Sequence, residues 1–177
     1  MTHAIVVVGS ARPGRVADAV ATYVTEEAKT YENLTTSIVD LAELNLPFFN
    51  NEHTPSDPEY APTDERVIKW GKLVSEADAV ILITPEYNHT LSAIEKNAID
   101  SLFTEWNGKA VVAIAYGWAG GSRSVATIRE LAPVVKMDMK IPAELYFTKD
   151  ISLDGSIIDE TAVKEKIHLS LNEIATA

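Results

Sequence analysis

Apolar residues fall along this chain in short blocks that alternate between two periods. Ala4 to Val8 is an unbroken, largely β-branched run that stops at Gly9, as a strand buried on both faces of a parallel sheet would. Beyond the following loop, Ala17, Val20, Ala21, Val24 and Ala28 return at helical spacing and complete a strand–helix unit. The alternation then repeats. Ser37 to Leu41 reads as a second strand, and Val67, Trp70, Gly71, Val74 and Ala77 mark a second helix with Thr63 as its candidate cap. Ala79 to Ile83 reads as a third strand and Ala110 to Ala115 as a fourth, the latter introduced by the turn dipeptide Asn107-Gly108. Between these strands Ser92 and Glu95 have capping-box spacing, and Ile94, Ala98 and Leu102 continue a third helix. Ser122 or Ser124 opens the next helix, with Val125, Ile128 and Ala132 on one face and Pro133 placed to end or kink it. Leu145 to Phe147 is the candidate fifth strand, and Val163, Ile167, Leu171 and Ile174 stripe a closing helix.

Strict alternation of this kind requires right-handed crossovers and a central parallel sheet covered by helices on both faces. The 177 residues are expected to form one domain, a doubly wound three-layer α/β/α sandwich around a five-stranded parallel sheet. In such sandwiches ligands bind outside the carboxyl ends of the strands, where the strand order reverses. The loops after the first, third and fourth strands therefore carry the functional expectation. A long segment holding Pro47, Pro55, Pro58 and Pro62 separates the second strand from the second helix, and its Phe48-Phe49 pair implies that part of it packs against something. Trp106 reads as an exposed aromatic available to a subunit interface.

Charge and composition narrow the chemistry. With 26 acidic against 15 basic residues, a formal net charge of -11 argues against a nucleic-acid partner, which would be held through cationic contacts with phosphate. The absence of cysteine excludes disulfides, thiolate nucleophiles, cysteine-bound zinc and iron–sulfur clusters, so redox chemistry would need a borrowed cofactor. No apolar run approaches the roughly 20 residues of a membrane span, and the amino-terminal apolar block lacks a basic flank; a cytoplasmic protein is expected.

The three loops differ in what they offer. Gly9-Ser10-Ala11-Arg12-Pro13-Gly14-Arg15 leads into a helix, where glycines permit close backbone approach and Ser10, Arg12 and Arg15 suit a phosphate. It lacks the Gly-Lys-Ser/Thr of a triphosphate loop and does not match G-x-G-x-x-G, so a terminal monophosphate is the better guest; the alternative is a plain turn with two solvated arginines. Thr84-Pro85-Glu86-Tyr87-Asn88-His89-Thr90 offers a restricted backbone, a flat ring and an amide, either for a planar heterocycle or merely as a helix-capping turn. Tyr116-Gly117-Trp118-Ala119-Gly120-Gly121-Ser122-Arg123-Ser124 would allow main-chain contact with a flat ring beside an aromatic wall. Arg123 reads either as a second phosphate ligand or as a solvent-facing helix residue.

Taken together, Gly-Ser-x-Arg-x-Gly-Arg at Gly9 to Arg15, Thr-Pro-Glu-Tyr-Asn at Thr84 to Asn88, Lys96-Asn97-Ala98-Ile99-Asp100 and the glycine-rich stretch from Gly117 to Gly121 resemble the NAD(P)H-dependent FMN reductases of the flavodoxin-like superfamily. The resemblance implies strand order 2-1-3-4-5, bound FMN, and NADPH or NADH as electron donor. By the same resemblance Ser10, Arg12 and Arg15 hold the FMN phosphate, Pro85, Glu86, Tyr87 and Asn88 border the isoalloxazine, and Gly117, Gly120 and Gly121 follow its other edge. Ser92, Ala93 and Glu95 depart from the family's usual Gly or Pro and Leu, and Trp118 is bulkier than expected there. There is no catalytic triad or metal-ligand cluster; His3, His53, His89 and His168 are scattered and read as surface or capping residues, with His89 in the second loop. No side chain is assigned a catalytic role or a metal, because the cofactor itself would carry the hydride and pass electrons to a small-molecule acceptor such as a quinone, azo compound, flavin or metal ion. Homodimers or homotetramers follow from the same resemblance. The alternatives are a flavodoxin-type electron carrier and a non-catalytic interaction domain that kept the fold.

Overall fold

The computed structural model describes residues 1–175. The chain runs β1 (Thr2–Val8), α1 (Ala17–Ala28), β2 (Leu34–Asp40), α2 (Leu41–Leu44), α3 (Glu65–Glu76), β3 (Ala79–Pro85), α4 (Ala93–Asp100), a single 3-10 turn (Thr104–Trp106), β4 (Ala110–Gly117), α5 (Ser122–Val135), β5 (Asp138–Met139), β6 (Ala143–Tyr146) and α6 (Glu160–Ala175). The sheet is parallel in the order β2-β1-β3-β4-β5, with β6 also on β4. This is the expected three-layer flavodoxin-like sandwich with a small additional strand.

Strand pleating explains why these blocks are apolar throughout. Ala4, Val6, Val8, Ile81, Ile83, Val112 and Ile114 enter one core with α1 and α6, while Ile5, Val7, Val80, Leu82, Val111 and Ala113 enter a second core on the opposite face. Successive side chains point to opposite faces, so a strand with a helix layer on each side has no polar positions to spare. At about 25 cal/mol per Å² of apolar surface, each of these isoleucines contributes roughly 1.5–3 kcal/mol.

The structure amends several expectations. Strand β2 begins at Leu34 rather than Ser37; as an edge strand exposed at Thr35, Ser37 and Ile38, it lacks the apolar run that would have marked it. Asp64, not Thr63, caps α3 by accepting from the Arg66 N–H. Pro133 lies in the last turn of α5, which continues only to Val135 and closes on left-handed Lys136. The fifth strand is split: β5 pairs with Ala110 and Val111, β6 with Ile114 to Gly117, and Pro142, which has no N–H to donate, lies between them.

Trp106 is 0% exposed and cannot form an exposed patch. Its ring meets Trp70 edge-on at 5.9 Å, and the two indole N–H groups donate to the carbonyls of Ile99 and Ala98. The proline-bearing loop is held by Asn97, whose side chain accepts from Phe49 N–H at 3.0 Å and donates to Pro47 carbonyl at 2.9 Å, and by Tyr60, which donates to Ser101 carbonyl.

Candidate functional site

Because β1 connects to β2 on one side and lies beside β3 on the other, the ends of β1, β3 and β4 open into a single crevice at the reversal of strand order. Its cavity volume is about 610 Å³, and it is lined by Arg12 from the first loop, Pro85 to His89 at and after the end of β3, Tyr116 to Trp118 at the end of β4, and Arg123 and Phe147 from farther along the chain.

The first loop leaves a set of donors free. The backbone N–H groups of Ser10, Ala11, Arg12 and Gly14 donate to no acceptor among the described residues, and Arg12 is exposed without an ion-pair partner among them. Gly14 sits at φ +65 with nothing within 4 Å of a built Cβ, so that side remains open. Ser10, 1% exposed, joins this loop to the next through a 2.6 Å hydrogen bond between its hydroxyl and that of Tyr87.

Arg15 occupies a different environment from Arg12. Its guanidinium makes a paired interaction with both Asp40 oxygens, donates to Asp18 at 2.9 Å and reaches the Ser10 carbonyl. The Arg15 hydrogen bond holds the Asp40 carboxyl below its ordinary range, and Asp40 in turn raises the guanidinium. Arg15 thus braces the loop through three partners.

In the second loop, Tyr87 N–H donates to Thr90 carbonyl at 2.9 Å and Thr90 N–H to Tyr87 carbonyl at 3.1 Å, closing a two-residue turn in which Asn88 (φ 48) and His89 (φ 68) are left-handed. This turn presents Asn88 and His89 to the crevice. Glu86 ties the second loop to α5: one carboxylate oxygen pairs with the Arg123 guanidinium at 2.9 Å, and the other accepts from Arg123 N–H at 3.2 Å. Arg123 is therefore neither a free phosphate ligand nor a bare solvent residue. Glu86→Ala is expected to lower stability by about 1–2 kcal/mol, since the α5 terminus loses its acceptor; urea denaturation checks this.

In the glycine loop only Gly117 reaches the cavity wall. Gly120 (φ +68) lies under the Tyr146 ring and Gly121 (φ +77) against Ala115 and Tyr116, where a Cβ would come within 2.6 Å of a neighbour in either case. These two glycines let the chain turn tightly behind the crevice. Trp118, 70% exposed, meets Phe147 at 5.6 Å, and Phe147 meets Tyr116 at 6.0 Å, forming an aromatic wall. Burial pushes the Tyr116 phenol well above its ordinary range, so it stays protonated at neutral pH. Phe147 was not foreseen at the site, and its only mark in the sequence is an aromatic at the end of a strand.

A loop of unpaired N–H donors with an exposed arginine, beside an aromatic-walled crevice, suits a flavin mononucleotide, and the family comparison agrees: the model for NADPH-dependent FMN reductases matches residues 2–151. The chain belongs to that family. An NAD(P)H-dependent FMN reductase of Schizosaccharomyces pombe is 34% identical over 167 residues, covering 93% of this chain and 82% of the relative. A quinone reductase of Pseudomonas putida is 30% identical over 166 residues, covering 88% and 84%. Among solved structures, the flavoenzyme NAD(P)H:(acceptor) oxidoreductase of Paracoccus denitrificans superposes with a TM-score of 0.78 at 24% identity, covering 99% of this chain and 96% of that one. The chain is thus an oxidoreductase of the FMN reductase family, and what its crevice adds is the placement of each family position.

Proposed function

We propose that this FMN reductase family member binds FMN in the crevice, accepts hydride from NADPH or NADH, and delivers electrons to a small-molecule acceptor, with quinones the first class to test. The observation that carries the reading is the convergence, on one crevice, of unpaired N–H donors and free Arg12 with an aromatic wall of Tyr116, Trp118 and Phe147. When bound, FMN supplies the hydride and electron chemistry that these side chains lack.

The chain's own residues bind and orient. The N–H groups of the first loop, with Arg12 and the Ser10 hydroxyl, would hold the phosphoryl group, as a helix-leading loop rich in free donors does. Pro85, Glu86, Tyr87 and Asn88 would border the ring on one edge and Gly117 on the other, while the Glu86–Arg123 pair keeps those two loops at a fixed separation. Gly120 and Gly121 act from behind by fixing the turn. Arg15 would act by shaping the Ser10 carbonyl and the loop. The quinone assignment draws on the quinone reductase relative, and an open crevice bordered by exposed Trp118 offers a flat acceptor a face to stack on. Operation in the cytoplasm as a homodimer or homotetramer belongs to the same reading; exposed Phe48 supplies apolar surface for association, and no helix among the described residues is long and apolar enough to cross a membrane.

Anaerobic mixing of the FMN-loaded protein with NADPH or NADH should bleach the flavin band, and subsequent quinone should restore it. A flavin that binds yet stays oxidised would instead mark an electron carrier, and protein that neither binds nor quenches FMN would mark an interaction domain. Steady-state rates should give parallel double-reciprocal lines, because both substrates use the same place in turn.

A further inference from the structure

Glu95, 1% exposed in the first turn of α4, lies directly behind the loop that follows β1. A Cβ built on Gly9 would come within 2.8 Å of the Glu95 carboxyl carbon and Oε2, so this carboxyl group fills the space a side chain at Gly9 would need. It does not complete a capping box. Ser92 Oγ accepts from Glu95 N–H at 3.2 Å as expected, but the Glu95 side chain turns inward, where Thr84 Oγ1 donates to Oε1 at 2.7 Å and Oε2 has no hydrogen-bond partner among the described residues. The Ser92 hydroxyl meanwhile donates to the Gly9 carbonyl. Gly9 is therefore held by Ser92 and backed by an acid with one unsatisfied oxygen, immediately before Ser10 and Arg12.

We propose that Glu95 is a positioning residue of the phosphate loop: as a neutral acid it backs Gly9 and lets the loop grip a phosphoryl group, and on ionising it repels that group and weakens the grip. The inference rests on the flavin reading above.

No cation among the described residues compensates Glu95. Tyr116 of β4 and Tyr87 of the second loop bring phenols toward Ser10, Arg12 is exposed on the loop, Arg15 and Asp40 are committed to each other, α2 brings exposed Glu43, and Lys96 and Asp100 of α4 pair at 2.5 Å. None of them makes an ion pair or hydrogen bond with the Glu95 carboxyl among the described residues. Burial accordingly pushes this carboxyl up to about 8, against which the Thr84 hydrogen bond works. The sign follows from linkage. A carboxyl with a higher pKa folded than unfolded contributes stability that is complete below its ordinary value of 4.5 and is lost as pH rises through about 8.

The test is the dissociation constant of FMN and of riboflavin, by flavin fluorescence quenching, between pH 7 and pH 9, for the wild type, Glu95→Gln and Glu95→Leu. The window lies above the second phosphate ionisation, near pH ~6, which would act in the opposite direction. Wild-type affinity for FMN should fall about tenfold across it, while both variants and all riboflavin titrations change by no more than about twofold. An FMN affinity flat with pH in the wild type, an equal slope in Glu95→Gln, or a parallel fall for riboflavin overturns the proposal while leaving flavin binding intact. Absence of FMN binding at pH 7 overturns the flavin reading and this inference with it. Should neither variant fold, the wild-type contrast between FMN and riboflavin decides alone.

Discussion

Gly121→Ala is expected to lower stability by about 3 kcal/mol or more, because two penalties fall on the same atom. The residue sits at φ +77, where a side chain is strained whatever the space, and its Cβ would come within 2.6 Å of Ala115 Cβ and 2.7 Å of the Tyr116 backbone nitrogen. Backbone cannot swing aside as a flexible side chain can, so β4 or the start of α5 must move. For a domain of this size the melting temperature should drop by roughly 6–12 °C. Gly14→Ala supplies the control. Its φ of +65 is similar but nothing lies within 4 Å, so only the conformational part remains, about 1 kcal/mol. Equal losses at the two positions, measured by thermal or urea denaturation, would show that space behind the crevice is not the constraint.

Removing the two arginines of the first loop one at a time should give opposite phenotypes. Arg12→Ala is expected to weaken FMN binding by about 10- to 100-fold, the worth of a lost charge-assisted contact, with stability unchanged within about 0.5 kcal/mol because Arg12 is exposed and makes no ion pair or hydrogen bond among the described residues. Arg15→Ala should instead lower stability by about 2–3 kcal/mol, since it strands an Asp40 carboxylate whose side chain is only 12% exposed, and should reduce flavin affinity secondarily as the loop loosens. Flavin titration and urea denaturation on both variants separate the cases. An Arg15 variant of full stability with lost flavin affinity would return Arg15 to the phosphate. Changing both residues should leave little flavin retained.

The contrast between these arginines marks the boundary of what residue order reveals. Both stand in the same loop with the same chemistry, and only the fold shows that Asp40, 25 positions away, meets one of them. Strands β1, β3 and β4 were readable because burial on two faces leaves an unbroken apolar run, and the crevice followed from their order. Strand β2 was shortened, and β5 missed, because an edge strand is polar on its open side and β5 makes only two rungs. Trp106 looked like surface because a tryptophan after a helix carries no periodicity of its own; the partners that bury it, Trp70 and the Ile99 carbonyl, lie in α3 and α4. Glu95 carries the right spacing for a cap, but its side chain lies beneath Gly9 and accepts from Thr84 instead. Within the site, Pro85, Glu86, Tyr87, Asn88, Gly117 and Arg12 line the crevice, whereas Gly120 and Gly121 lie behind it.

The broken outer strand beside β4 has a consequence for how copies of the chain meet. A continuous, flat border would invite a neighbouring molecule to extend the hydrogen-bonded ladder without limit. Here the border consists of two short stubs interrupted at Pro142, with Lys140 and Asp138 paired at 2.6 Å on the β5 side of the break. A partially opened molecule therefore exposes no long template on that side, a useful property in a chain whose strand interiors are almost wholly aliphatic.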